Sequence, residues 1–206
     1  MKPMKLIRRG AVKLVKSARR EARIYYAERE DISKSYGVAG STFRSYKGFK
    51  IGPSVVFKEW VEETGLSSRT LRDIEKLESY EEYKKLHMRL FKSLNTYWKK
   101  RQRRSLTVAQ SFKLLDLFFK AVSRREDQNP IINKNLVKYG HIPLDKYSLL
   151  AVKDCFSGIV ISNNPSMGDI KDIKTYEFIQ EQIRDLMNTC NLPNLYFDYL
   201  AWNLEH

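Results

Sequence analysis

Cysteine is scarce in this chain, which has only Cys155 and Cys190 among its 206 residues. The two do not stand at the spacing of a metal site, and they are too few to hold an iron–sulfur cluster. We therefore expect free thiols in a reducing compartment, not a disulfide framework. The sequence predicts no metal and no cofactor.

Long hydrophobic runs are also missing, since no stretch approaches the ~20 apolar residues of a membrane helix. The first residues are basic and lack the apolar core and cleavage site of a signal peptide, which favours a cytoplasmic, nucleoid-associated protein. The last three residues, 204–206, resemble the start of a vector-encoded histidine tag, and the native chain is expected to end at Asn203. The sequence contains no internal repeat and no low-complexity segment.

Acidic residues are few in the first three-fifths of the chain. Residues 1–125 contain 31 lysines and arginines against 13 aspartates and glutamates, a net charge of +18, whereas residues 126–206 have a net charge of −4. A basic excess of this size is typical of a protein that binds a polyphosphate, although it can also serve solubility alone. We favour a nucleic acid as the partner.

Helix signals dominate the chain, and they predict an all-α fold. Apolar residues at three- and four-residue steps predict a basic amphipathic helix from Ala11 to about Glu30, which could lie on phosphates, on an anionic membrane or against the protein. The Ser79 and Glu82 pair predicts a capped helix from Tyr80 to about Arg101. Thr175 is expected to cap a helix to about Asn188, and Pro193 is expected to open a final helix.

Residues 54–77 have the form of a helix-turn-helix, with Ser54 expected to cap a helix from Val55 to Glu63 and Ser67 expected to cap the next. Such a unit could read DNA as a non-enzymatic regulator. The second helix carries three acidic residues, which suit a major groove poorly, so a structural helix pair is the favoured interpretation.

Residues 107–145 carry the strongest chemical signal. Thr107 and Gln110 have capping-box spacing, so a helix is expected to begin at Val108. Lys113 stands in its second turn beside a dense apolar run, where burial would lower a lysine pKa and keep the amine available as a nucleophile. A polar break follows, and Pro143 then favours a new helix with Asp145 in its first turn.

A basic turn leads directly into the Thr107 capping box. Cations before a helix N-terminus make a site for a DNA phosphate, with the backbone N–H groups of residues 108–110 as donors. The residues predicted to contact DNA are Lys99, Lys100, Arg101, Arg103, Arg104, Ser105, Thr107 and Lys120.

The segments AQSFKLLDLFFK and IPLDKY, within residues 80–155, resemble the helix-hairpin-helix (HhH-GPD) DNA glycosylase superfamily, most closely its archaeal 8-oxoguanine glycosylase branch. The resemblance implies a two-lobed helical domain in which Lys113 attacks the sugar and Asp145 assists. Lys120, seven residues after Lys113, also matches that branch. One departure is that residues 104–112 contain no glycine, whereas the family hairpin is usually glycine-rich.

These observations together predict a DNA glycosylase that flips and excises a damaged or modified base from duplex DNA, with or without lyase activity, and acts as a monomer. Its expected organisation is a basic helical region, residues 1–78, followed by the glycosylase-like core, residues 79–203. Side chains predicted near the flipped base are Trp98, Phe112, His141, Tyr147 and Trp202. The alternatives are a DNA-binding regulator using residues 54–77 and a helical protein whose basic face binds an acidic partner.

Overall fold

The computed structural model describes residues 6–204. Glu205 and His206, and the basic residues 1–5 used to argue against a signal peptide, lie outside that range. Within it the chain is α-helical, as predicted, and the only extended pairings are isolated bridges between Ile7 and Phe156 and between Glu30 and Arg125. The helices are α1 (Ala11–Ser17), α2 (Arg19–Ala27), α3 (Pro53–Trp60), α4 (Ser68–Glu75), α5 (Tyr80–Gln102), α6 (Val108–Val122), α7 (Pro130–Tyr139), α8 (Lys146–Cys155), α9 (Ile173–Cys190) and α10 (Tyr196–Leu204). No helix of this part of the chain is long and apolar enough to cross a membrane.

Both predicted capping boxes are present. The Ser79 side chain accepts the Glu82 N–H, and the Thr107 side chain accepts the Gln110 N–H, so α5 and α6 begin where the sequence indicates. Ser67 caps α4 as expected. The cap of α9 is Asp172, not Thr175, because its carboxylate accepts the Thr175 N–H at 2.8 Å.

Two helix boundaries near the N-terminus differ from the predictions. The expected continuous helix from Ala11 to Glu30 is two helices that meet at Ala18. The chain bends there because α1 packs against α9 while α2 packs against α10. The helix that begins at Pro53 is regular only to Trp60 and continues as one π-helical turn over Val61–Gly65.

The polar break after α6 contains a helix that the sequence reading missed. Asn129 caps α7, and Pro130 fills its first position. Ile132, Leu136 and Tyr139 are buried on one face, and this spacing was obscured by the asparagines between them. The helix ends at Gly140, where a Cβ atom would collide with the Leu136 carbonyl oxygen.

Two hydrophobic clusters form the interior, and α6 contributes to both. Leu114, Phe118 and Val122 belong to a cluster drawn from residues 32–139. Ala109 and Phe112 belong to a second cluster that joins α1 and α2 to residues 142–201. The cores therefore do not follow a boundary at residue 79, because the N-terminal helices pack with the C-terminal ones.

Candidate functional site

The first component of the candidate site is the amine of Lys113. Lys113 stands in the second turn of α6 and is half-buried. Within residues 6–204 its amino group has no hydrogen-bond or ion-pair partner, and Asp116, the acidic residue of the same helix, is bound by His87. Seven residues are close to two helical turns, so Lys113 and Lys120 leave the same face of α6, about 10 Å apart along its axis.

Lys120 forms a buried ion pair across the fold. Its Nζ lies 2.5 Å from Asp198 Oδ2, and the two side chains are 19% and 1% exposed. Burial alone would lower the pKa of Lys120, but the Asp198 carboxylate and the Tyr25 hydroxyl raise it more, so the ammonium form is retained. This placement does not suit the phosphate contact predicted for Lys120, because its charge is already matched inside the protein.

Asp198 is a buried carboxylate that faces groups from three other helices. Burial raises the pKa of its carboxyl, the Lys120 ammonium and the Tyr26 hydroxyl lower it, and the nearby Asp145 carboxylate raises it further. Asp198 therefore lies between Lys120 of α6, Tyr26 of α2 and Asp145 at the start of α8.

Asp145 lies immediately before α8, not in its first turn as predicted from Pro143. It is the N-cap of α8, and its Oδ1 atom accepts the N–H groups of Tyr147 at 3.0 Å and of Ser148 at 3.2 Å. The Ser148 hydroxyl accepts the Asp145 N–H in return, which completes a capping box. These bonds fix the orientation of a half-buried carboxylate close to Asp198.

Two of the predicted base-contacting aromatic residues stand next to these carboxylates. Tyr147 follows Asp145 by two residues, and Trp202 follows Asp198 by one turn of α10. Their ring centroids are 5.0 Å apart, and Trp202 remains 41% exposed. A partly exposed aromatic pair of this kind has the character of a stacking surface for a nucleobase.

The other three predicted base contacts are interior residues. Trp98 is fully buried and packs on Phe49. Phe112 stacks on Tyr176 with ring centroids 3.7 Å apart. His141 has both ring nitrogens occupied by tyrosine hydroxyls. These three side chains contact protein groups on all sides, so their placement does not suit direct base contact.

The basic turn is exposed, and its cations are not equivalent. Arg101 donates two bonds to Glu59, at 2.9 and 2.7 Å. Arg104 donates to the Gly48 carbonyl at 3.3 Å and lies over the Phe49 ring. Four other side chains of the turn are exposed and bind no carboxylate within residues 6–204. They are Lys99, Lys100, Arg103 and Ser105.

The N-terminus of α6 retains fewer donors than the sequence suggests. The Gln110 N–H is used by the Thr107 side chain, and the Thr107 N–H is used by the Gln110 side chain. In the described part of the chain the N–H groups of Val108 and Ala109 have no acceptor. They are the two donors that an anion could reach at this helix end.

A buried hydrogen-bond network lies behind α6, and sequence reasoning did not find it. Tyr80 can donate to His141 Nε2 at 2.8 Å, which leaves His141 Nδ1–H to donate to the Tyr176 oxygen at 3.0 Å. Tyr176 then donates to Asp116 at 2.8 Å, and His87 Nε2 donates to the same carboxylate at 2.8 Å. A single assignment of protons therefore satisfies every contact.

Two histidines and a carboxylate in this network are of metal-ligand type. One ligand atom from each of His87, Asp116 and His141 lies within 4.8 Å of the others. Burial raises the pKa of Asp116 and lowers that of His141, so neutral His141 is favoured. Because each of these atoms already has a hydrogen-bond partner, a bound ion is not needed to explain the cluster.

The proposed helix-turn-helix has a short second helix whose acidic residues are paired. Asp73 accepts from Arg89 at 2.6 Å, and Glu75 accepts from the Asn129 side chain at 2.8 Å. Thr70 and Ile74 face the interior. This arrangement fits the structural helix pair favoured above.

Comparison of the chain with models of known families, with curated proteins and with solved structures found no match.

Proposed function

We propose that this protein is a DNA glycosylase of the helix-hairpin-helix type, with two helical lobes around a base site. The observation that carries the proposal is the arrangement on α6, where the uncommitted amine of Lys113 shares a face with the Lys120–Asp198 pair. The Lys113 amine is free to react, and the buried pair holds α10, which carries Trp202, against the same helix. Enzymes that act on a base within duplex DNA need both a reactive group and a pocket for the flipped base.

Base recognition is assigned to the aromatic surface of Tyr147 and Trp202. The two rings would stack on the face of the base. The Lys120–Asp198 pair would position this surface, because it holds α10, which carries Trp202, against α6.

The chemical step is assigned to Lys113 and Asp145. The Lys113 amine attacks C1′ of the sugar after losing a proton, and the glycosidic bond breaks with its electron pair leaving on the base. The Asp145 carboxylate accepts the amine proton and stabilises the positive charge that develops on the sugar. Opening of the sugar ring gives a Schiff base, from which β-elimination would cleave the strand.

DNA binding is assigned to the basic turn and the N-terminus of α6. Phosphates would be held by Arg103, Arg104 and the free N–H groups of Val108 and Ala109. Because this binding is electrostatic, it should weaken steeply with salt. The partner is duplex DNA, and the protein is expected to act as a monomer at the nucleoid.

Borohydride trapping tests the proposal. The wild-type protein is incubated with a panel of duplexes carrying oxidised or hypermodified bases, and reduction should link it covalently to at least one of them. Lys113→Ala should abolish the adduct, whereas Lys134→Ala, an exposed lysine on α7, should leave it unchanged.

Two results would contradict the proposal. The first is an absence of both base release and adduct on every duplex of the panel. The second is sequence-specific binding of unmodified DNA that Lys113→Ala leaves intact, without base release, which would favour the regulator that uses residues 54–77.

A further inference from the structure

A cavity of about 420 Å³ lies where the start of α5, the end of α7 and the end of α9 meet. The polar residues that line it are Tyr80, Lys138, Tyr139, Arg184, Asn188, Asn191 and Asn194. The basic turn before α6 is at the other end of α5, about 30 Å away by the length of that helix. The cavity is therefore separate from the site described above.

The charge of the cavity is positive. Of residues 6–204, Lys138 and Arg184 line it and no carboxylate does. Asp185, the nearest acid to the Arg184 guanidinium at 3.6 Å, is itself 56% exposed. Glu181 is bound by Lys84 at 3.3 Å. The two cations are thus available to an anion that enters.

Both cations are held in place by tyrosines. The Arg184 guanidinium stacks on the Tyr80 ring at 4.4 Å, and the Lys138 ammonium lies 4.5 Å from the Tyr139 ring centre. Lys138 Nζ also donates to the Tyr139 hydroxyl at 2.8 Å. Restricting long side chains before binding reduces the entropy lost when a ligand is captured.

The cavity also has unmet hydrogen-bonding capacity. Arg184 Nε is buried without a hydrogen-bond partner. Asn194 is 4% exposed, and within residues 6–204 its side-chain amide bonds to nothing. The Arg184 Nε–H and the Asn194 amide are therefore two polar groups of this cavity that a polar ligand can bind.

We propose that this cavity binds a phosphate-bearing anion of up to nucleotide size. The Arg184 guanidinium can donate hydrogen bonds to two phosphate oxygens at once, and Lys138 supplies a second positive charge. Asn194 and the two exposed asparagines, Asn188 and Asn191, offer amides to the remainder of the ligand. The volume falls within the range of small-molecule sites. The phosphate could belong to a free nucleotide or to the DNA backbone, and the proposal does not depend on the glycosylase activity.

Calorimetric titration with inorganic phosphate and with deoxyguanosine monophosphate tests the proposal. Wild-type protein should bind both saturably. The double variant Arg184→Gln/Lys138→Gln should bind them about a hundredfold more weakly, since each lost charge-assisted bond costs roughly tenfold. Lys134→Gln removes an exposed charge from the same helix as Lys138 and should change affinity by no more than about twofold. If the double variant does not fold, Asn194→Asp takes its place, because a carboxylate of equal size would repel the anion.

Competition distinguishes the two sources of phosphate. If deoxyguanosine monophosphate displaces a labelled duplex from the wild type but not from the double variant, the DNA backbone occupies the cavity. If nucleotide and duplex bind together, the ligand is a free nucleotide. Absence of saturable binding of either probe to the wild type, or equal affinity in the wild type and the charge-removing variant, would overturn the proposal.

Discussion

Lys120 and Asp198 join α6 to α10 through an ion pair of 2.5 Å that is almost entirely removed from solvent. The two residues are 78 positions apart in sequence, and the contact brings the last helix against the one that carries Lys113. An ion pair in this setting is costly to break, because either partner alone would leave an uncompensated charge in the interior.

Asp198→Asn should destabilise the fold by about 3–5 kcal/mol, since Lys120 then remains buried without its counter-charge. Chemical denaturation monitored by circular dichroism would measure the loss. The apolar double variant Lys120→Met/Asp198→Leu should recover most of that stability. A double variant that is both stable and active would show that the pair has only a structural role.

Removal of one hydroxyl should weaken the buried network. Tyr176→Phe takes a donor from Asp116 and an acceptor from His141, and we expect a loss of about 1–3 kcal/mol in the free energy of unfolding. Tyr199→Phe removes a hydroxyl that has no hydrogen-bond partner among the described residues and serves as the matched control. Equal stability of the two variants would show that the network contributes little.

The contribution of His141 to stability should fall as pH decreases below about 6.5, the ordinary pKa of histidine. Burial lowers the pKa of His141 in the folded protein, with a further contribution from His87, so the unfolded chain binds a proton that the folded chain rejects. The free energy of unfolding should fall by up to about 1.4 kcal/mol per pH unit through the titration of His141.

Comparison with His141→Gln between pH 7 and pH 5 isolates that contribution. The raised pKa values of Asp116 and Asp198 act in the opposite direction, but both carboxyls are present in both proteins. The variant should show a shallower fall in stability with decreasing pH. Parallel curves would contradict the assignment.

The cations of the basic turn should differ in their contribution to DNA affinity. Arg103→Gln should weaken duplex binding at all sequences and reduce the slope of log K against log salt by about 1. Arg101→Gln should have a smaller effect, because Glu59 already holds that guanidinium in the free protein. Fluorescence anisotropy over a range of salt concentrations measures both slopes, and a larger change from Arg101→Gln would contradict the assignment.

Local signals predicted the local parts of the fold. Ser79 with Glu82 marks the start of α5, and Thr107 with Gln110 marks the start of α6, because a capping box is made by residues three apart. Pro143 and Asp145 correctly signalled a nearby helix start, but the helix begins at Lys146 and Asp145 is its cap. Helix α7 was missed because the amide groups of Asn133 and Asn135 made a packed helix resemble a solvated segment.

The non-local parts of the candidate site could not be predicted in this way. Nothing near Asp198 in sequence shows that it meets Lys120, and nothing near His87 shows that it meets Asp116. Both contacts depend on how helices from distant segments pack. The aromatic residues illustrate the same limit, since Trp98 and Trp202 are equally plausible base contacts in sequence, yet one is in the core and the other is at the surface.

The union of α1 and α2 with residues 142–201 in one cluster has a consequence for synthesis on the ribosome. The N-terminal helices emerge first, but the surfaces they cover do not exist until α9 and α10 have left the exit tunnel. Contacts that span nearly the whole chain form late and slow folding. The apolar faces of α1 and α2 therefore lack their native partners in a nascent chain until α9 and α10 have been synthesised.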